Sequence, residues 1–251
     1  MKIGIITDIH SNIDALNAVL NEFEKEKVDK IICCGDIVGM SLYPEECVQT
    51  LKKLHDKLIC VLGNHEKYIT DGLPLVVHDD KRSLSEDEIN NHNWNHKKLS
   101  DDSIKYIKNL KLTDTLDING KKVFIVHYPM NEDKSYKRII KEPIAEEIEE
   151  LFSYVDADIY LFGHTHKYSV NKKDDKWYIN PGSLGCPKNT NAALCGILEI
   201  NNDEIKYKEL EIKYDIDNCI KEIEESTMPF KEHIISIFYK AKEYMEVSWK
   251  I

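Results

Sequence analysis

Lys30-Ile31-Ile32-Cys33-Cys34-Gly35-Asp36-Ile37-Val38-Gly39 is the stretch on which the reading of the fold turns. Its first five residues are mostly apolar and rich in β-branched and small side chains. That composition predicts a short strand buried in a parallel sheet. An aspartate then stands between glycines at the strand's mouth. A carboxylate there loses water and sits among peptide dipoles, so it calls for a cation. Asp36 is therefore read as a ligand bridging two metal ions, and its partners are sought at other strand ends.

Working outward, residues 2–7 form an earlier apolar strand, followed by Asp8-Ile9-His10-Ser11-Asn12. Ile13, Leu16, Val19, Leu20 and Phe23 then keep the helical period, with Asn12 as N-cap. Strand, loop, helix and the Asp36 strand make a βαβ unit, whose two strands are expected to be parallel neighbours. A second helix starts at Tyr43-Pro44-Glu45-Glu46, with proline in its first turn and acids at its positive end. Val48, Leu51 and Leu54 give it a core stripe. The apolar run 58–62 ends in Gly63-Asn64-His65-Glu66. Two later runs repeat the pattern: 122–126 ends in His127-Tyr128-Pro129, and 159–162 ends in Gly163-His164-Thr165-His166. In open α/β sheets ligands bind beyond the carboxyl ends of strands, where all five loops fall.

The segment from about 70 to 112 is polar and lacks strand signals. It includes Asp79-Asp80-Lys81-Arg82, and also His92, Trp94 and His96. Ile104, Ile107 and Leu110 predict one amphipathic helix, and Ile89 with Trp94 another. It reads as a helical insertion over or beside the site, with Trp94 in its core. A helix from about Pro143 carries Ile144, Ile148, Leu151 and Phe152. Trp177-Tyr178-Ile179 leads to Asn180-Pro181-Gly182-Ser183. Segments 192–200 and 205–214 read as antiparallel strands joined by Asn201-Asn202-Asp203. From Asp215, the spacing of Ile216, Ile220, Ile223, Ile234, Ile237, Phe238 and Ala241 predicts two helices parted at Met228-Pro229. The expected organisation is one continuous α/β domain over 1–251, with the insertion and a helical tail at about 215–251.

Of the 251 residues, 42% are hydrophobic and 31% charged, enough for a core and a hydrophilic surface. The net charge of −11 argues against non-specific binding to nucleic acid or anionic membranes. It still admits a phosphorylated substrate, because divalent metals invert the local field. No run approaches the ~20 apolar residues that span a bilayer. The first residues do not form a signal peptide, so the expected location is cytoplasmic. The seven cysteines, with no Cys-x-x-Cys pair, read as small buried hydrophobes in a reducing compartment. His55, His78 and His233 read as surface histidines.

The strand-end residues are Asp8, His10, Asp36, Asn64, His65, His127, His164 and His166. Carboxylate, imidazole and amide oxygen suit borderline divalent ions such as Mn, Fe, Zn, Co or Ni. There are more ligands than one ion needs, so two ions sharing a carboxylate is the expected arrangement. Asp8-x-His10, Gly35-Asp36-x-x-Gly39, Gly63-Asn64-His65-Glu66, His127 and Gly163-His164-x-His166 resemble, in order, the five blocks of the calcineurin-like metallophosphoesterase superfamily. The resemblance covers roughly residues 1–200. The run from Asp8 to Leu16 looks most like its small bacterial and archaeal phosphodiesterase-like branch.

That resemblance implies an αββα sandwich of two mixed sheets flanked by helices. It implies that Asp8, His10 and His166 bind one ion, that Asn64, His127 and His164 bind the other, and that Asp36 bridges them. Manganese is the first choice of metal. His65 would not bind metal; it would stabilise phosphoryl charge or protonate the leaving oxygen. The implied reaction is hydrolysis of a phosphate ester by a water bridging two divalent ions. A phosphodiesterase on small nucleotide-like substrates comes first, with a phosphomonoesterase or dinucleoside polyphosphate hydrolase as alternatives. Non-catalytic scaffolds exist on the same fold, but here every ligand position is filled. Asn12 and Arg138 are candidate substrate contacts, with Lys137 beside the latter. Glu66 stands where aspartate is more usual, and is expected to orient His65.

Overall fold

The computed structural model describes residues 1–74, 76, 82–140, 142–188, 190–201 and 204–239. His78, the Asp79-Asp80-Lys81 run, Asn202, Asp203 and Ala241 lie outside them. Two five-stranded mixed sheets stack face to face. The first contains β1 (Lys2–Ile6), β2 (Lys30–Cys33), β3 (Leu58–Cys60), β9 (Ala192–Asn201) and β10 (Glu204–Lys213), in the order β10-β9-β1-β2-β3. β1, β2 and β3 are parallel, with Ile5 opposite Ile32 and Cys33 opposite Cys60. The second contains β4 (Thr113–Ile118), β5 (Lys121–Val126), β6 (Ile159–Leu161), β7 (Tyr168–Lys173) and β8 (Lys176–Pro181), in the order β4-β5-β6-β8-β7. β5, β6 and β8 are parallel, and the flanking strands are antiparallel.

The period-two alternation of β1 explains the layering. Ile3 and Ile5 point into the inter-sheet core with Ile32, Val123, Ile125, Ile159 and Ile179. Ile6 points the other way, under α1 (Ile13–Lys25) and α2 (Pro44–Lys52). α5 (Asp101–Lys108) joins that outer layer through buried Ile107. α6 (Ala145–Leu151) covers the second sheet through Ile148, Leu151 and nearby Phe152. The result is the expected αββα sandwich. Truncating a buried aliphatic such as Ile5 to alanine would cost about 2–5 kcal/mol.

α3 (Asn64–Thr70) and α4 (Glu86–Lys97) stand at the carboxyl ends of the parallel strands, with the tail helices α7 (Ile216–Glu225) and α8 (Lys231–Phe238). Ile223, Ile234, Ile235 and Phe238 bury against Leu42 and Cys186, with Trp94 packed on that cluster. Lys98 lies over the Trp94 ring at 3.9 Å, so this indole is committed to packing. Two strands escaped the sequence reading. β4 and β7 are edge strands, with half-exposed polar residues diluting their signal. One cue was present: Asn119-Gly120, both at positive φ, turns β4 into β5.

Candidate metal centre

Five loops bring the strand-end side chains together. Asp8, His10, Asp36, His164 and His166 all have left-handed backbones, with φ of 52°, 48°, 53°, 71° and 57°. Such conformations are costly for residues with a Cβ and cluster at functional sites. Backbone bonds hold them in place: Asp8 N donates to Gly35 O, His10 N to Asp36 O, and Gly163 N to His127 O. Gly63 is required by close approach, since a Cβ there would lie 2.1 Å from Asp36 Oδ1.

The side chains fall into two groups. In one, His10 Nε2 lies 2.9 Å from His166 Nε2, and Asp8 Oδ1 is 3.7 Å and 3.4 Å from these nitrogens. In the other, His127 Nε2 is 3.1 Å from both Asn64 Oδ1 and His164 Nδ1. Asp36 Oδ2 stands between the groups, 3.8 Å from His10 Nε2 and 3.2 Å from His127 Nε2. Ligand atoms about 2.0–2.1 Å from one cation lie about 3.0–3.4 Å apart, close to most of these spacings.

Hydrogen bonding fixes which nitrogens are available. His10, His127 and His166 turn Nδ1 to the carbonyls of Val38, Cys34 and Cys186, at 3.3, 2.8 and 3.2 Å. A carbonyl only accepts, so each Nδ1 carries the hydrogen and each neutral ring presents a lone pair at Nε2. His10 Nε2 and His166 Nε2 therefore face each other as two acceptors, an arrangement that a cation resolves. Burial holds His10 down to about 3 and His166 to about 4, so both rings are neutral at pH 7.

Charges in the cluster are mutually dependent. Burial, reinforced by Asp36, pushes Asp8 up to about 7, against His127, Thr7 Oγ1 and the His164 N–H. Burial also opposes the charge on Asp36, but His127, His65 and His10 outweigh it and hold the carboxyl well below its usual range. Burial disfavours the His127 cation, yet Asp36 and Asp8 raise the ring to about 9.

His65 stands beside the cluster on the first turn of α3. Its N–H donates to Asp36 Oδ1 at 2.9 Å, and its ring centroid is 4.8 Å from that of His10. Burial holds it well below the usual histidine range. A third grouping of ligand atoms, His10, Asp36 and His65, is also compact enough to hold a cation. His92 of α4 lies 5.0 Å from the His65 ring, whereas His96 is exposed.

Three expectations, for Asn12, Arg138 and Glu66, meet a different local structure. Asn12 is the N-cap: Oδ1 accepts from Ala15 N at 3.0 Å, while Nδ2 donates to Gly185 O and Tyr214 Oη. Its amide is thus committed within the fold. The Arg138 side chain is exposed, with no described contact to the cluster. Lys137 Nζ instead donates to Leu151 O. Glu66 does not hold the His65 ring; its carboxylate accepts from the backbone N–H groups of Asp36, Ile37, Val38 and Gly63. Sequence reasoning missed Tyr68, at 5.6 Å from His65, and Tyr136, stacked on His164 at 5.1 Å. Tyr68 follows Asn64 by one helical turn, which was the available signal.

The sequence model of the calcineurin-like phosphoesterase superfamily domain matches residues 1–203. The chain is 29% identical over 249 residues to protein MJ0912 of Methanocaldococcus jannaschii, covering 90% of this chain and 93% of that one. It is 25% identical over 210 residues to "Phosphodiesterase MJ0936" of the same organism, covering 84% and 98%. Among solved structures, hypothetical protein PH1004 of Pyrococcus horikoshii OT3 superposes with a TM-score of 0.82 at 20% identity, covering 96% and 98%. A metallophosphoesterase of Sphaerobacter thermophilus gives 0.69 at 23%, covering 94% and 97%. With the family match spanning most of its length, the chain belongs to the calcineurin-like phosphoesterase superfamily, metal-dependent hydrolases of phosphate esters.

Proposed function

We propose that the chain, acting as one cytoplasmic domain, is a phosphodiesterase on small nucleotide-like esters, using two divalent cations, manganese first. The observation that carries this reading is the pair of ligand groups on either side of Asp36 Oδ2. Asp8, His10 and His166 would hold one ion; Asn64, His127 and His164 the other; Asp36 would touch both. When bound, such ions supply charge that offsets the phosphate and acidifies a water to a nucleophile at neutral pH.

The chain's own groups do the rest. The carbonyls of Val38, Cys34 and Cys186 hold three imidazole rings with Nε2 turned towards the cluster. Water oxygen adds to phosphorus in line while the opposite P–O bond breaks, and the leaving oxygen takes a proton. His65 adjoins the cluster and is not one of the three carbonyl-fixed rings; held neutral by burial, it would hydrogen-bond the leaving oxygen and hand on a proton only after taking one up from solvent beside the bound anion. Its neutral form also donates one hydrogen bond to a phosphoryl oxygen. The phosphodiesterase assignment draws support from the relative named for that activity.

The manganese-loaded protein should hydrolyse bis(4-nitrophenyl) phosphate faster than 4-nitrophenyl phosphate or a dinucleoside polyphosphate. Asp36→Asn should abolish activity and lower the metal content. His65→Ala should keep its metal and lose roughly 10²–10⁴-fold in kcat. Full activity in Asp36→Asn would end the two-ion reading, and metal loss in His65→Ala would make His65 a ligand.

A further inference from the structure

A cavity of about 240 Å³ opens beside the cluster, between α4 and α8. Asn64 and His65 are among its lining residues, so a molecule filling it would stand next to an ester held at the cluster. Its α8 side is mostly apolar, formed by Phe230, Ile234, Ile237 and Phe238, with His233 among them. That wall reaches the metal ligands, because the Phe238 ring lies 5.4 Å from the His166 ring. Both tail helices lie beyond residues 1–203, so this wall is added to the family's common part.

Two further features say what could fill the cavity. Among its described lining residues the acids and strong bases are Arg82 and Glu88, and they are paired with each other. Arg82 Nη1 and Nη2 donate to the two Glu88 oxygens at 2.9 and 2.8 Å. Their charges cancel, whereas a second phosphate would call for an uncommitted cationic fork. The volume is below the ~300–1,000 Å³ typical of sites that enclose a drug-sized ligand. It accommodates one ring system, not two nucleosides. Phe230 also has φ of 65°, a left-handed conformation unusual for a bulky side chain. The chain tolerates it at the start of α8, where it places the ring in the wall.

Resting on the phosphoesterase reading of the adjoining centre, we infer that this cavity binds the non-reacting substituent of the ester, and that the substituent is a compact, uncharged aromatic or apolar ring.

Two variants test this. Phe230→Asn removes the ring but keeps a residue that tolerates left-handed backbone and caps a helix. Ile237→Ser alters a side chain that is 38% exposed, so folding is not at stake. The manganese-loaded proteins are assayed on phenyl 4-nitrophenyl phosphate and methyl 4-nitrophenyl phosphate, which release the same phenol. Wild type should favour the phenyl ester in kcat/KM by roughly tenfold or more, and both variants should cut that ratio several-fold. A ratio near one in wild type, or unchanged in both variants, would overturn the proposal. Binding of phenylphosphonate and methylphosphonate, followed by calorimetry, should show the same phenyl preference and the same loss. Should neither diester be hydrolysed, the phosphodiesterase reading fails, and the phosphonate ratio alone then decides the cavity's role.

Discussion

Replacing Glu66 with glutamine probes the loop that carries Asp36. Glu66 is fully buried, and all four of its described partners are donors. Oε1 accepts from Ile37 N at 2.8 Å and Val38 N at 3.0 Å; Oε2 accepts from Asp36 N at 2.8 Å and Gly63 N at 2.9 Å. Burial and Asp36 push this carboxyl up to about 7 against the pull of the N–H donors, but four N–H groups and no described acceptor leave a carboxyl proton no partner. With donors alone around it, the loop is built for the carboxylate. Glutamine keeps one oxygen and turns an NH₂ towards the other two N–H groups, whichever way the amide is flipped. Two charge-assisted bonds are lost and two buried donors are orphaned. At about 1.5–3 kcal/mol for each such bond, the loss is about 3–6 kcal/mol. Set against a total stability of about 5–15 kcal/mol, Glu66→Gln should fold but unfold at distinctly lower urea. Equilibrium urea unfolding at unchanged m would give the difference. Elemental analysis should show reduced metal occupancy, because the Asp36 loop shifts. A variant within about 1 kcal/mol of wild type, with full metal content, would refute the claim that this carboxylate holds the loop.

Three other outcomes are expected. Gly39→Ala would place a Cβ 2.1 Å from His65 Nδ1, on backbone at φ of 91°, so kcat should fall well below wild type while metal content persists; an unchanged kcat would show that His65 need not stay where it is. Manganese at a hundredfold its Kd should stabilise the chelated protein by about 2.7 kcal/mol per site, or about 5–10 °C in Tm for a chain of this size; no shift with any of Mn, Zn or Co would remove the metal centre. Glu88 is held down to about 2, first by Arg82 and then by its N-cap bonds to Ser85. An acid depressed in the folded state stabilises above its unfolded pKa of about 4.3 and loses that contribution as pH falls towards 2. Tm should therefore drop more between pH 5 and 3 in wild type than in Glu88→Gln, and parallel curves would show that the pair contributes nothing.

The parallel strands and their loops were legible because the information is local. Buried strands such as 30–34 and 159–162 need continuous apolar runs, and each is followed by polar residues that a strand end would otherwise avoid. The antiparallel pair β9 and β10 and the division of the tail near Pro229 were legible for the same reason. Edge strands β4 and β7 were not, since half of each faces water and their pairing comes from partners distant in sequence.

What the sequence by itself determined is which side chains stand at strand ends, since strand periodicity and loop position are properties of neighbouring residues. What only the tertiary structure decided is which of them meet. His10 faces His166 across 156 residues of chain, and His127 faces Asn64 and His164. Those meetings depend on the stacking of two sheets and on left-handed turns at five of the clustered residues, neither of which a linear pattern records. The same holds for Glu66, whose carboxylate serves the Asp36 loop because β2 and β3 are neighbours. It holds too for the apolar wall of α8, which lies beside the centre only because the tail folds back onto Leu42 and Cys186.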